Sequence, residues 1–346
     1  MLLKDSSVGK TEIEVSDNSV KTRLDARKQY FQEACSGLAL SPEQVKGQRD
    51  LELTLAHGKL KFCGLEKVGS TFLRNVRRKE DEYSAEEKYV KDFKSFVVVR
   101  EPYGRLVSAY IDKILLRPVW WRTPGRFIAG HFRFRAENKH RDCGSDITFH
   151  EFIRFWMYME ETGNWVNGHF LSMHKECKFC FFNYDYYVHL ETMKDEMYHI
   201  YQSVNATLLS TMTNDQDTLK DMAVTIVQQR DDGQYRRCVE NCDMLDRAWW
   251  TFQGRALIAP DVIQPFKGDK CNTITKTEFA NAAIGAHMQS KDRIDKQRQK
   301  RQTVVSLFLQ VPLLERLKVR DLLMEDFKLH NYDSLPEDIF PEVYEC

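Results

Sequence analysis

Lys67, Gly69, Ser70 and Thr71 fall where a short apolar run turns into a helical pattern, in the stretch KFCGLEKVGSTFLRNV at residues 61–76. The first turn of a helix presents unpaired backbone N–H groups and the positive end of the helix dipole, so an anion is favoured there. Lys67 would add a point charge, and together these groups could hold a phosphate or a similar oxyanion. The stretch is not a Walker A loop, because residues 64–71 read GLEKVGST and lack the Gly-Lys-Ser/Thr ending. The plainer alternative is a capped helix with a surface lysine.

A second set of residues suits the same chemistry. Arg100 ends the β-branched run SFVVV at residues 95–99, and Ser108 lies eight positions on, about two helical turns further. A guanidinium at a strand end and a hydroxyl on the next helix can grip one anion. Arg105 and Ser108 are three apart and share a helix face. The alternative is a structural Arg100 paired with Asp112 or Glu101.

Two further clusters stand out. Cys177 and Cys180 have the spacing of half a zinc site, with His169 and His174 near in sequence, but no second pair follows at a suitable distance. Disulfides or structural thiols are the favoured role, and no metal is expected. Residues 117–141 interleave Arg117, Arg122, Arg126, Arg133, Arg135, Lys139 and Arg141 with Trp120, Trp121, Phe127, Phe132 and Phe134. Aromatic faces stack on sugar rings and arginine pairs with carboxylates or sulfates, so this segment reads as a surface loop that binds glycan. Single-stranded nucleic acid is the alternative ligand. It is disfavoured because Lys+Arg and Asp+Glu both number 51, which leaves no global positive field.

The elements that must position these residues follow from the apolar pattern. Residues 60–65 read as a buried strand leading through the lysine loop into a helix from Ser70, and residues 95–99 as a second buried strand leading through Pro102 into a helix over residues 103–116. Residues 77–94 are a charge run, solvated as helix or loop. A helix is expected near 148–160, a strand at FCFFNY (179–184), and helical patterns over 192–256 and 302–329. Two strand–turn–helix units argue for an α/β fold with a central parallel sheet flanked by helices, ligands lying beyond the carboxyl ends of the strands, and a helical C-terminal part. The 346 residues divide into a polar leader at 1–55 with a helix near 20–35, one domain at 56–335 and a tail at 336–346. The opening residues suggest neither a signal peptide nor a membrane span. Of nine cysteines, an odd number, at least one stays unpaired, and one glycosylation triplet is present at Asn205-Ala206-Thr207.

Taken together, KVGSTFLRNV and VVREPYGRLVSAYIDK resemble the two nucleotide-binding signatures of the Golgi carbohydrate sulfotransferases, in the branch of the chondroitin 4-O- and HNK-1-type enzymes. The block NWVNGHFLSMHKECKFCFFNYDYYVHLET and the closing LLMEDFKLHNYD at 322–333 are similar to later parts of that branch, with His330 where an aromatic is usual. The likeness runs over roughly residues 60–333.

The resemblance implies a P-loop-like fold and sulfuryl transfer from 3′-phosphoadenosine 5′-phosphosulfate to a glycan hydroxyl. It also implies a Golgi-lumenal setting, reached in the family through an N-terminal anchor that is not recognised among these residues, and an oxidising lumen that permits disulfides. Carried over by position, Lys67, Val68, Gly69, Ser70, Thr71 and Arg74 would hold the donor's 5′-phosphosulfate, with Lys67 neutralising the leaving phosphate, while Arg100 and Ser108 would hold its 3′-phosphate. The branch carries a longer, histidine-containing segment between its two signatures; residues 74–99 contain no histidine here. The base candidates are therefore His169, which matches the family's Asn-x-His, followed by Glu66 and His131. A catalytically impaired relative that binds donor or glycan without turnover is the alternative, as is another phosphate-handling P-loop-like transferase, although the Mg²⁺ ligands and Walker A loop of a kinase are not recognised.

Overall fold

Residues 95–99 pack on both faces. In the computed structural model Phe96, Val97, Val98 and Val99 form the buried middle of strand β3 (Lys94–Val99), as expected of a parallel strand covered by helices. The structure describes residues 17–37, 53–83, 90–133, 142–164, 167–207, 215–231 and 238–344. Glu86 and Glu87 of the charge run, Phe134, Arg135, Lys139 and Arg141 of the basic segment, Cys346 and most of the polar leader lie outside them.

The sheet runs in the order β1-β2-β3-β4, with β1 at Leu53–Leu55, β2 at Leu60–Cys63 and β4 at Tyr186–His189. Strands β2, β3 and β4 are parallel and β1 adds antiparallel at the edge. Phe62 pairs with Phe96 in register and their rings stack at 5.0 Å, a cross-strand contact that fixes the alignment. The parallel sheet flanked by helices and the helical C-terminal part agree with the sequence reading.

Helix α1 (Asp17–Ser36) lies on the sheet: Val20, Leu24 and Phe31 are buried, and Phe31 stacks on Tyr187 of β4 at 4.1 Å. Helix α2 (Ser70–Tyr83) follows the lysine loop. Its Glu80 is not a solvated charge, because it accepts hydrogen bonds from the Ala56 N–H and the Tyr201 hydroxyl, both at 2.8 Å. Helix α3 (Pro102–Ala109) has proline in its first turn and the Glu101 carboxylate capping the N–H groups of Tyr103 and Gly104. The chain then widens into a π-helical turn at Tyr110–Leu115.

Three expectations are corrected. Residues 117–141 are not one surface loop: helical turns occupy Pro118–Trp120, Trp121–Gly125 and Arg126–Phe132, and Trp121 is buried with its indole N–H donating to the Ile114 carbonyl at 2.7 Å. The π-type turns remove the 3.6-residue period by which a helix is recognised. FCFFNY is a turn rather than a strand, because Cys180 has a left-handed φ of +63° and is bridged to Cys35 on α1. A helix at Lys276–Ser290, opened by a Thr275/Glu278 capping box, lies outside the helical stretches expected. Cys177 bridges Cys63, Cys143 bridges Cys238 and Cys242 bridges Cys271. Cys177 and Cys180 thus serve separate disulfides, as do Cys238 and Cys242.

Candidate active site

Strands β2, β3 and β4 end side by side, and each hands the chain to a turn that faces the same edge. After β2 the loop reaches α2 through two left-handed residues, Lys67 at φ +68° and Gly69 at φ +91°. Left-handed backbone at a lysine is a strained arrangement of the kind that concentrates at binding sites. Gly69 is required by close approach: a Cβ there would lie 2.9 Å from Leu190 Cδ1, in the turn after β4. Val68 is buried, Ser70 half-buried and Thr71 exposed at the first turn of α2, while Ser108 is half-buried on α3.

The two signatures meet directly. Arg100 donates to the Lys67 carbonyl at 3.1 Å, which joins the end of β3 to the loop after β2. Arg105, expected on the same helix face as Ser108, is buried and fully engaged. It donates to the carbonyls of Glu66 (3.0 Å), Gly168 (3.1 Å) and Leu171 and pairs with Glu176 at 2.6 Å. It therefore ties the lysine loop to the segment that carries His169.

Asp112 is the partner of Lys67 rather than of Arg100. Lys67 Nζ lies 2.7 Å from Asp112 Oδ2, and the same carboxylate has Lys113 at 3.2 Å, Arg117 at 3.4 Å and Arg255 at 3.4 Å. Burial pushes the Lys67 amine down to about 7; the Asp112 charge opposes this and Arg255 adds to it. On the helix Lys296–Phe308 the Lys300 amine is lowered by burial and by the charges of Arg100 and Lys296. Four cations around one half-buried carboxylate are more positive charge than the carboxylate can balance, so the site favours an added anion.

His169 closes the other side. Its Nδ1 is 3.5 Å from Glu66 Oε2, its ring meets the Trp120 ring edge-on at 5.6 Å, and Nδ1 is buried without a hydrogen-bond partner among the described residues. Burial lowers the imidazole to about 4, helped by Lys113 and Lys67 and opposed by Glu66. Burial raises the Glu66 carboxyl, but Arg74 and His169 outweigh it and hold the group below its ordinary value. Glu66 also accepts from Ser70 Oγ at 3.1 Å and from the Arg74 guanidinium.

The structure thus brings Glu66, Lys67, Ser70, Arg74, Arg100 and His169 together and adds Asp112, Lys113, Trp120 and Arg255. His131 is elsewhere: it is exposed, stacks on Phe127 at 4.0 Å and bonds the Phe127 carbonyl. In the basic segment Arg133 is committed to Asp146 and Glu151 and Trp121 is buried, while Trp120 lies beside His169. Asp112 and Lys113 sit four and five positions after Ser108 on a continuing helix, a spacing that could have flagged them. Nothing local in the sequence points to Arg255. Among the described residues no group of three or more His, Cys, Asp or Glu side chains is placed to hold a metal ion.

Against this geometry, the sequence model of the sulfotransferase family matches residues 55–237. Carbohydrate sulfotransferase 14 of Danio rerio is 28% identical over 117 residues, covering 34% of this chain and 31% of that protein. The human carbohydrate sulfotransferase 14 is 28% identical over 136 residues, 39% of this chain and 34% of its own, and carbohydrate sulfotransferase 8 of Mus musculus is 28% identical over 109 residues, 30% and 25%. The aligned part spans about a third or less of the length of these relatives. No solved structure matches significantly.

Proposed function

The chain belongs to the sulfotransferase family, and on that premise we propose that it transfers a sulfuryl group from 3′-phosphoadenosine 5′-phosphosulfate to a glycan hydroxyl. The observation that carries the proposal is the cluster of Lys67, Lys113, Arg117 and Arg255 around the single carboxylate of Asp112. A donor that carries a phosphosulfate and a second phosphate supplies the missing negative charge. The donor's chemical contribution is the sulfuryl group and a phosphate leaving group.

The residues of the chain do the rest. Lys67, Val68, Gly69, Ser70, Thr71 and Arg74 hold the phosphosulfate at the start of α2, and Arg100 with Ser108 holds the 3′-phosphate. Positioning and charge neutralisation dominate transfers of this kind. Lys67 neutralises the charge that develops on the leaving oxygen. His169, neutral at pH 7, accepts the proton of the attacking hydroxyl, and Glu66 stabilises the imidazolium that results. Trp120, beside His169, offers a ring face to the acceptor sugar. Four disulfides fit an oxidising lumen such as the Golgi.

Calorimetric titration with 3′-phosphoadenosine 5′-phosphate tests the donor half of the proposal. Binding to the wild type that is lost in Lys67→Ala and Arg100→Ala supports it, and unchanged binding in both variants contradicts it.

A further inference from the structure

We propose that Asn205 carries an N-linked glycan. Asn205-Ala206-Thr207 is the single Asn-x-Ser/Thr triplet in the sequence, and its central residue is not proline. It lies just past the helix Met193–Ser203, with Asn205 in a left-handed conformation at φ +51°. The turn is held by its backbone: Asn205 N–H donates to Gln202 O at 3.0 Å, Ala206 N–H to Tyr201 O at 2.9 Å, and Lys59 Nζ reaches the carbonyls of Val204 and Asn205 at 3.1 and 3.5 Å. The side chains of Asn205 and Thr207 are both exposed. Asparagine is favoured at a left-handed helix end for its own reasons, which explains Asn205 but not an exposed threonine two residues later. The four disulfides fit an oxidising compartment, the setting in which such triplets are modified.

The location suits the modification. Lys59 immediately precedes β2, whereas the lysine loop follows its other end, so a sugar on Asn205 leaves the opposite edge of the sheet, about 13 Å along a four-residue strand. The reaction joins the carboxamide nitrogen to the anomeric carbon of a lipid-linked oligosaccharide, with the lipid diphosphate leaving and one amide proton lost.

The test is to secrete the chain from cultured animal cells behind a cleavable leader and treat it with peptide N-glycosidase. The expected result is loss of one glycan's mass, conversion of Asn205 to aspartate in the released peptide, and unchanged nucleotide binding. Asn205→Gln and Thr207→Ala both abolish the shift, and Thr207→Ala leaves the left-handed asparagine in place should the first variant fold poorly. Secreted, disulfide-bonded protein with an unmodified Asn205 peptide overturns the proposal.

A second inference concerns the donor site and rests on the reading of that site given above. We infer that Asp112 is a placeholder which the donor's phosphosulfate displaces from Lys67. The carboxylate occupies the ammonium that an incoming oxyanion needs and keeps Lys113, Arg117 and Arg255 gathered around it. A carboxylate that only held the fold would weaken nucleotide binding when neutralised, whereas a competitor strengthens it. Titration with 3′-phosphoadenosine 5′-phosphate should show Asp112→Asn binding about tenfold more tightly than wild type, as expected on removal of a close like charge. Asp112→Glu, which keeps the charge, should bind as wild type. Equal or weaker binding by Asp112→Asn overturns the placeholder role. Undiminished binding by Lys67→Ala instead contradicts the donor reading itself.

Discussion

His169 Nδ1 lies 3.5 Å from Glu66 Oε2 and makes no hydrogen bond among the described residues, although the atom is buried. A buried imidazole nitrogen without a hydrogen-bond partner, facing a carboxylate, is costly to keep for structure alone. On the proposed mechanism the other ring nitrogen, Nε2, takes the proton, while Nδ1–H faces Glu66, which stabilises the cation.

The rate should therefore depend on pH at two points. His169 is lowered to about 4 by burial, then by Lys113 and Lys67, and Lys67 is lowered to about 7, chiefly by burial. The base must be unprotonated and the lysine protonated, so kcat/KM for the donor should fall below pH 4 and again above pH 7. A bound anionic donor favours both protonated forms, so both limbs of the kcat profile should move to higher pH. A profile without the alkaline limb, or one whose alkaline limb survives in Lys67→Arg, would remove Lys67 from this role.

Substitution separates base from binder. His169→Ala should lower kcat by roughly 10²- to 10⁴-fold while nucleotide affinity stays near that of the wild type. Glu66→Gln should lower kcat less and shift the acid limb downward, because the carboxylate raises the imidazole. Loss of nucleotide affinity in His169→Ala without a change in kcat would make it a binding residue.

Arg255 stands beyond the stretch that the family model matches, yet it reaches Asp112 from the end of the helix Asn241–Gly254. Arg255→Ala should weaken nucleotide binding by about tenfold and flatten its salt dependence, as loss of one nearby cation does. Calorimetry at two ionic strengths checks this; unaltered affinity would confine the anion site to the N-terminal half.

Away from the site, the buried pair His174–Asp326 links stability to pH. Burial lowers His174, but Asp326 and Glu325 outweigh it and raise the imidazole to about 9. A raised folded value stabilises fully below the unfolded value near 6.5 and is lost as pH rises through 9, a loss on the order of 3 kcal/mol. Tm should decline between pH 6.5 and 9, and His174→Gln should abolish that slope. A flat Tm over this range in the wild type would contradict the linkage.

Much of this arrangement was legible in the sequence. The β-branched run before Arg100 and the small residues after Lys67 announce strands and helix starts by local chemistry, and so the lysine loop, α3 and the parallel sheet follow. The pairing of Lys67 with Asp112 was not legible, because it joins residues 45 positions apart through a helix whose regular period ends in a π-type turn. Trp120 was noticed only for composition; its place beside His169 depends on the same turns. Arg255 follows a helix whose apolar face (Met244, Leu245, Ala248, Trp249 and Phe252) signals only core packing, and tertiary structure alone places the arginine against Asp112.

The central claim is best tested by transfer of radiolabelled sulfate from 3′-phosphoadenosine 5′-phosphosulfate to a panel of desulfated chondroitin, dermatan, heparan and glucuronyl-capped glycans. The account predicts incorporation into at least one acceptor, abolished by Lys67→Ala and by Arg100→Ala. No incorporation into any of them, with nucleotide binding intact, would contradict it and leave a protein that holds the donor without turnover.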